Sequence, residues 1–263
     1  MARIFSFVNQ KGGVGKTTTA INLGAYLGYY GQRVLLVDLD PQANATSSLG
    51  IEKQTVKGGT YEVLIGSQPI APQILHNPRL KISLLPSSPS LAGAEIELID
   101  LDNREYLLRK ALTNVHERYD YILIDCPPSL SLLTVNGLIA AESGVVIPVQ
   151  CEYLALEGLG QLTQTIRKVQ GSLYPDLKIK GVVLTMYDGR TRLAIDVVSE
   201  VQRYFSDQVF KTIIPRSVRL AEAPSYGTPI SVYAPDTTAA KAYAALAQEF
   251  LAQDGIIIPE IEE

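Results

Sequence analysis

A glycine-rich loop between an apolar run and a helical pattern constrains this chain more than any other feature. Residues 4–8 are followed by residues 9–19, which read NQKGGVGKTTT. Glycine adopts backbone conformations closed to other residues, so successive N–H groups of such a loop point at one anion. The positive N-terminal end of the following helix strengthens that site. The sequence therefore predicts a strand, a phosphate-binding loop and a helix, in that order.

Apolar runs and helical patterns alternate along the rest of the chain. This alternation predicts a single-domain α/β fold, a doubly wound and mostly parallel sheet flanked by helices. We expect one domain over residues 1–254 and an acidic tail over residues 255–263, because no composition break marks a second domain. The predicted strands are residues 4–8, 33–37, 80–85, 121–124, 144–149, 179–185 and 209–214. The helices expected after the loop helix are residues 61–65, 104–116, 132–141, 156–169, 194–205 and 238–251, and the segment after Asp38 is expected to be a loop.

Composition narrows the class of protein. A hydrophobic content of 46% with 19% charged residues is ordinary for a globular chain. No stretch approaches the ~18 apolar residues of a membrane-spanning helix, so we expect a cytoplasmic protein. The two cysteines, Cys126 and Cys151, lack C-x-x-C spacing, and we expect reduced structural thiols. A net charge of −4 means that any nucleic-acid site has to be local.

Three carboxylates follow predicted strands. Asp38 and Asp40 come after the run 33–37, and Asp125 ends the run 121–124. Ligands of open α/β sheets bind at the carboxyl ends of the strands. In a phosphate-binding loop, Lys16 would reach the terminal phosphates and the Thr17 hydroxyl would coordinate magnesium, with Asp125 also holding the ion. The alternative is structural: Asp125 as a helix cap, and Asp38 and Asp40 as caps of the following turn.

The loop resembles the deviant Walker A motif of the ParA/MinD group of P-loop ATPases. Gln10 replaces the first glycine of an ordinary P-loop, and Lys11 adds a second lysine in the string KGGVGKT. The strings LAGAEIEL, YDYILIDCPPSL, VIPVQCEYLALEGL and IIPRSVRLAEAPSYG are similar to the ParA/Soj chromosome-partitioning ATPases. These matches extend over most of the chain.

The resemblance implies ATP and Mg²⁺ as cofactors and roles for particular residues. Lys11 would cross to the partner subunit's nucleotide in an ATP-dependent homodimer, beside the catalytic roles of Lys16 and Asp40. Asp40 would orient the attacking water, and Asp38 would support the magnesium site. The implied nucleotide-binding residues are Lys11, Gly12, Gly13, Val14, Gly15, Lys16, Thr17 and Thr18, with Met186, Pro215 and Ser217 around the adenine and ribose.

A basic segment lies inside this acidic chain. Residues 161–220 hold ten lysines and arginines against five aspartates and glutamates, whereas the rest holds thirteen against twenty-two. Such a segment is typical of localised, phosphate-directed binding, so we expect sequence-independent contacts with double-stranded DNA. By resemblance to the Soj branch the contacts are Arg190 and Arg219, supplemented by Arg192 and Arg216. The alternative is a set of solvated surface arginines.

The function implied is a nucleoid-associated switch. ATP would drive dimerisation, the dimer would bind DNA, and a ParB/Spo0J-type protein would stimulate hydrolysis during chromosome or plasmid segregation. A relative that positions another cargo would share this biochemistry. A MinD-like membrane regulator would need a basic amphipathic C-terminal helix, but this chain ends in QEFLAQDGIIIPEIEE. A redox protein resembling the nitrogenase iron protein would need different cysteine contexts.

Overall fold

Seven short strands form one sheet at the centre of the protein. The computed structural model describes residues 1–153 and 155–257. The spatial strand order is β3-β4-β2-β5-β1-β6-β7, and every neighbouring pair is parallel except β3 with β4. The predicted doubly wound, mostly parallel α/β fold is confirmed. The strands are β1 Arg3–Phe7, β2 Val34–Asp38, β3 Leu75–Asn77, β4 Ile82–Leu85, β5 Tyr121–Asp125, β6 Gly144–Gln150 and β7 Ile179–Thr185.

Helices cover both faces of the sheet, as a parallel sheet requires. None of the helices in the described ranges is long and apolar enough to cross a bilayer. They are α1 Lys16–Tyr29, α2 Asn44–Ser48, α3 Thr60–Leu64, α4 Leu91–Glu97, α5 Leu107–Leu112, α6 Leu132–Ala140, α7 Ala155–Ser172, α8 Arg192–Phe205, α9 Val218–Glu222, α10 Ile230–Tyr233 and α11 Thr238–Gln253.

Alternate side chains of each strand enter two separate cores. In β1, Phe5 and Phe7 pack toward α1 and α11, while Ile4 belongs to the core under α5, α6 and α7. In β5, Leu123 joins the first core and Ile124 the second. The central strands are therefore apolar on both faces, and the polar residues that follow them are left at the carboxyl edge.

The predicted strand at residues 209–214 is wrong. Only isolated contacts with the edge strand form, where Phe210 N–H donates to the Val182 carbonyl and Ile214 N–H to the Leu184 carbonyl, both at 2.9 Å. Between them the Lys211 and Thr212 N–H groups donate to the Glu249 carboxylate of α11 at 2.7 and 3.0 Å. A ladder cannot continue where a helix side chain has taken its donors.

Two other local predictions need correction. The predicted helix at residues 104–116 is α-helical only over α5, because Asn136 bonds the Arg104 carbonyl and the Leu108 N–H and so holds the entry to the helix. The segment after Asp38, expected to be a loop, contains α2, which starts after Ala43 in a left-handed conformation. Of the predicted tail at 255–263, residues 258–263 lie outside the described part, and the boundary at 254 stays a prediction.

Candidate nucleotide site

The loop between β1 and α1 has the backbone that its glycines predict. Gly13 and Gly15 have φ of 74° and 88°, values in the left-handed region that favours glycine. Gly15 caps α1, and its carbonyl accepts the Thr19 N–H at 2.8 Å. At the start of the loop, the buried Asn9 amide donates to the Pro148 carbonyl of β6 at 2.8 Å, and its oxygen accepts the Lys11 N–H at 3.0 Å. The loop is therefore anchored to the sheet before it opens toward solvent.

A cleft of about 310 Å³ lies over this loop. Six of the eight predicted loop residues line it, together with Asp40 from the neighbouring strand end. Val14 is instead buried, at 2% exposure, and points away from the cleft. The lining residues are Gly12, Gly13, Gly15, Lys16, Thr17, Thr18, Asp40, Asn44, Ser48, Pro128 and Met186.

Lys16 carries the positive charge of this cleft. Its side chain is largely buried, and its Nζ lies 3.4 Å from the Lys11 carbonyl oxygen across the loop. Burial lowers the pKa of Lys16, and the carboxylate of Asp125 partly offsets that effect. An anion in the cleft would stabilise the charged ammonium, since a buried cation is costly without a partner.

Asp125 is the residue of this region that best fits a bound cation. It ends β5 and is fully buried, and neither carboxylate oxygen has a hydrogen-bond partner within the described ranges. Burial, reinforced by Asp38, raises the pKa of Asp125 well above its usual value. Buried carboxylate oxygens near the Thr17 hydroxyl fit a magnesium ion, which prefers oxygen ligands and keeps contacts with phosphate and water.

Replacing Asp125 by Asn tests this interpretation. The variant Asp125→Asn should raise the melting temperature of the nucleotide-free protein at pH 8 by about 3 °C, or about 1 kcal/mol for a chain of this size, because it removes a buried charge. It should also lose the additional stabilisation that magnesium gives with ATP. Thermal unfolding with ATP, with and without Mg²⁺, measures both effects. An unchanged magnesium-dependent shift would contradict the assignment of Asp125.

The two aspartates after β2 have different surroundings. Asp38 is fully buried; one carboxylate oxygen accepts the Thr46 hydroxyl and N–H at 2.7 and 2.8 Å, and the other accepts the Asp40 N–H at 3.2 Å. Burial raises the pKa of Asp38 to about 6. Asp40 lines the cleft, and its Oδ1 accepts the Gln42 N–H at 2.8 Å. Asp38 thus fastens the turn, and its predicted support of magnesium stays a prediction.

Lys11 lies outside the cleft that holds Lys16. Its ammonium is 3.8 Å from the Glu152 carboxylate, and about a third of its side chain is exposed. Glu152 also pairs with Arg216 at 3.0 Å. The predicted reach of Lys11 across a subunit boundary stays a prediction, since one chain alone is described.

A second cleft, of about 220 Å³, adjoins the first through Gly15, Thr18 and Met186. The three residues predicted for the adenine and ribose, Met186, Pro215 and Ser217, all line it. The hydroxyl of Ser217 accepts the Leu220 N–H at 3.3 Å and so caps α9. The other lining residues are Thr185, Ile214, Arg216, Leu220, Ala221 and Tyr243. This cleft is mainly apolar and adjoins the phosphate loop, and we call it the purine cleft after its predicted occupant.

The four predicted DNA-contacting arginines are close in sequence to residues that line this second cleft. Arg190 makes two bonds to the Asp188 carboxylate, at 2.8 and 2.6 Å, and holds the pKa of Asp188 near 2. Arg219 pairs with Glu222 at 3.0 Å. Arg192 is exposed at the first residue of α8, and Arg216 lines the cleft itself. The structure thus places all four arginines at the surface, and their role stays a prediction.

Comparison with known proteins identifies the family. Residues 2–179 match the AAA domain family. The chain is 55% identical over 252 residues to the sporulation initiation inhibitor protein Soj of Bacillus subtilis, covering 96% of this chain and 99% of that protein. The chain belongs to the ParA/Soj family of chromosome-partitioning ATPases. The ParA/Soj resemblance drawn from the motifs is confirmed. A second ParA/Soj member, the chromosome partitioning protein ParA of Myxococcus xanthus, is 52% identical over 255 residues, covering 97% of this chain and 89% of that protein.

A solved structure supports the fold of this ParA/Soj chain. A cobyrinic acid a,c-diamide synthase from Mycobacterium smegmatis, solved with a bound ATP analog and magnesium, is 38% identical. It superimposes with a TM-score of 0.85 over 100% of both chains.

Sequence reasoning missed several residues of this ParA/Soj site. Asn44 and Ser48 reach the first cleft from α2, a helix that was not predicted. Pro128 reaches it from the turn after β5. Tyr243 reaches the second cleft from the C-terminal helix α11, and its hydroxyl lies 3.2 Å from that of Thr19. No local motif marks Tyr243, because its place depends on how α11 packs on α1.

Proposed function

We propose that this ParA/Soj ATPase is an ATP-dependent switch for chromosome or plasmid segregation. ATP with Mg²⁺ drives homodimerisation, the dimer binds double-stranded DNA without sequence preference, and a ParB/Spo0J-type protein stimulates hydrolysis to release it. The observation that carries the nucleotide assignment is the unpartnered, buried carboxylate of Asp125 beside the glycine loop and Lys16.

The cofactors are ATP and Mg²⁺. The loop from Lys11 to Thr18 holds the phosphates through its N–H groups, and Lys16 neutralises the terminal phosphates. Thr17 and Asp125 would hold the magnesium ion, and Asp38 would support that site by fixing the turn beside it. Bound magnesium supplies charge stabilisation for phosphoryl transfer. Met186, Pro215 and Ser217 hold the adenine and ribose in the second cleft.

Hydrolysis rests on few protein groups. Asp40 lines the phosphate cleft and orients the attacking water, and Lys16 stabilises the charge of the transferred phosphoryl group. None of the residues that line this cleft is an arginine. We therefore expect slow turnover by the protein alone, because a stimulating group has to come from elsewhere. Lys11, which lies outside the cleft and pairs with Glu152, supplies a charge to the partner subunit's nucleotide.

The placement of the arginines supports the proposed DNA binding. Two segments line the purine cleft, residues 185–186 and 214–217, and the four arginines lie in these segments or within six residues of them. A change of the bound nucleotide would therefore act on the backbone close to Arg190, Arg192, Arg216 and Arg219. Three of them are paired with carboxylates, which phosphate groups would replace. Contacts of this kind are with the DNA backbone and carry no sequence information.

A double arginine variant tests this surface. The variant Arg190→Ala with Arg219→Ala should weaken duplex binding by ATP-bound dimers by about tenfold and lower the salt slope by about 2, because two phosphate contacts are lost. Dimerisation with ATP should persist. The matched control is Arg203→Ala, which removes an exposed arginine of α8 that pairs with Glu200 in the same basic segment. Equal DNA binding by the double variant and the control would contradict the assignment.

The cargo is a separate part of the proposal. The motifs shared with ParA/Soj proteins favour chromosomal or plasmid DNA and a nucleoid-associated, cytoplasmic protein. A relative that positions another cargo would use the same switch with a different partner protein. A MinD-like attachment to membrane is the less favoured alternative.

A further inference from the structure

One buried threonine connects the phosphate loop to the strand that carries the purine cleft. Thr185, the last residue of β7, is 2% exposed, and its hydroxyl donates to the Val14 carbonyl at 2.8 Å. Its methyl group faces Gly15, since a Cβ built on that glycine would lie 3.7 Å from the Thr185 Cγ2. Thr185 therefore bonds the loop through its hydroxyl and turns its methyl group toward the same loop.

The residues that follow Thr185 belong to the purine cleft. Met186 lines both clefts and has a φ of 52°, a left-handed conformation that is rare outside glycine. The Tyr187 N–H donates to the Ile214 carbonyl at 3.0 Å, and the Tyr187 carbonyl accepts the Arg216 N–H at 2.9 Å. Backbone hydrogen bonds thus connect residues 214–216 of the purine cleft to the end of β7. Thr185, which holds the phosphate loop, lies at the same strand end.

We propose that Thr185 is a positioning residue that sets the distance between the phosphate loop and the purine cleft. A loop rich in glycine is intrinsically flexible, so a ligand that spans both clefts would have to order it. Asn9 fixes the beginning of the loop to β6, and Thr185 fixes its middle to β7. The loop then stands at the separation that a purine nucleoside triphosphate requires before the nucleotide arrives.

This role rests on the proposed nucleotide site and goes beyond it: Thr185 lines the purine cleft, but neither the loop motif nor the predicted adenine and ribose contacts give it a role. Two variants separate the contribution of the hydroxyl group from that of the methyl group. Thr185→Val keeps the shape and removes the donor, whereas Thr185→Ser keeps the donor and removes the methyl group. A role in packing alone predicts that Val is tolerated and Ser is not, and positioning through the hydrogen bond predicts the opposite.

Equilibrium binding of ATP with Mg²⁺ to the full chain tests the proposal. Thr185→Val should weaken ATP binding by about tenfold, and Thr185→Ser should stay within about threefold of wild type. Inorganic pyrophosphate, which contacts the loop alone, should lose less affinity than ATP in Thr185→Val, because it does not span the two clefts. The matched control is Thr163→Val on α7, where the buried hydroxyl donates to the Leu159 carbonyl at 2.7 Å and lines neither cleft.

The outcomes separate the two proposals. Wild-type ATP affinity in Thr185→Val, an equal loss in Thr185→Ser, or an equal loss of pyrophosphate and ATP binding would each overturn the positioning role. A similar loss in Thr163→Val would overturn it too, because general destabilisation would then explain the effect. Failure of the wild-type protein to bind ATP would instead remove the nucleotide site itself, and the positioning role with it.

Discussion

The variant Lys16→Ala is expected to lose ATP binding by about a thousandfold, or about 4 kcal/mol. Lys16 lines the phosphate cleft and is largely buried, so its ammonium meets the phosphates in surroundings that screen charge poorly. Burial lowers the pKa of Lys16 in the nucleotide-free protein, and bound phosphates would reverse that shift. Removing a buried charge should leave the fold intact. Equilibrium binding of ATP, with a melting curve for each protein, measures both expectations.

The matched control for this variant is Lys53→Ala. Lys53 is half-buried, donates to the Gln42 carbonyl at 2.8 Å and lies outside both clefts. The variant Lys53→Ala changes the net charge by the same amount as Lys16→Ala. The comparison therefore separates the contact of Lys16 with the phosphates from the overall electrostatic field of the protein. ATP affinity in Lys16→Ala equal to that of the control would remove the assignment of the phosphate loop.

The second large effect is expected from Asp40. The variant Asp40→Ala should bind ATP and form dimers but hydrolyse ATP more slowly by on the order of a hundredfold, because the attacking water is no longer oriented. Asp40 lines the phosphate cleft, and its Oδ1 also accepts the Gln42 N–H. A steady-state phosphate-release assay, with dimer formation followed by light scattering, measures the two properties separately.

Asp40→Asn isolates the chemical role from the structural one. An asparagine side chain keeps an oxygen that can accept the Gln42 N–H and so preserves the turn, but it removes the negative charge. We expect Asp40→Asn to turn over as slowly as Asp40→Ala. If Asp40→Asn hydrolysed ATP at the wild-type rate, Asp40 would be a turn residue only, which is the alternative left open by the sequence.

The parts of the site that lie at strand ends could be predicted from sequence. Lys16 and Thr17 follow β1 within a continuous motif, Asp40 follows β2, and Asp125 ends β5. Parallel pairing aligns β1 with both β5 and β6, and β2 with β5, so the residues that follow these strands share one edge. Local pattern and sheet topology are enough to bring them together.

What could not be predicted depends on packing between distant segments. The run at 209–214 has the apolar pattern of a strand, yet Glu249 of α11 takes two of its N–H groups. The Thr185 hydroxyl reaches the Val14 carbonyl from a strand 171 residues away in sequence. Asp38 and Asp40 look equivalent in sequence, but Thr46 engages the first and leaves the second facing the cleft. These contacts depend on how segments distant in sequence pack together, which no local pattern encodes.

Duplex DNA binding by the Asp40→Ala protein tests the central claim most directly. Binding is measured with ATP and then with ADP, on two unrelated sequences, across a salt titration. The switch predicts binding that needs ATP, is equal for both sequences and weakens steeply with salt. Failure to bind either duplex in either nucleotide state, with ATP dimers confirmed, would contradict the switch and move the function to a protein or membrane surface.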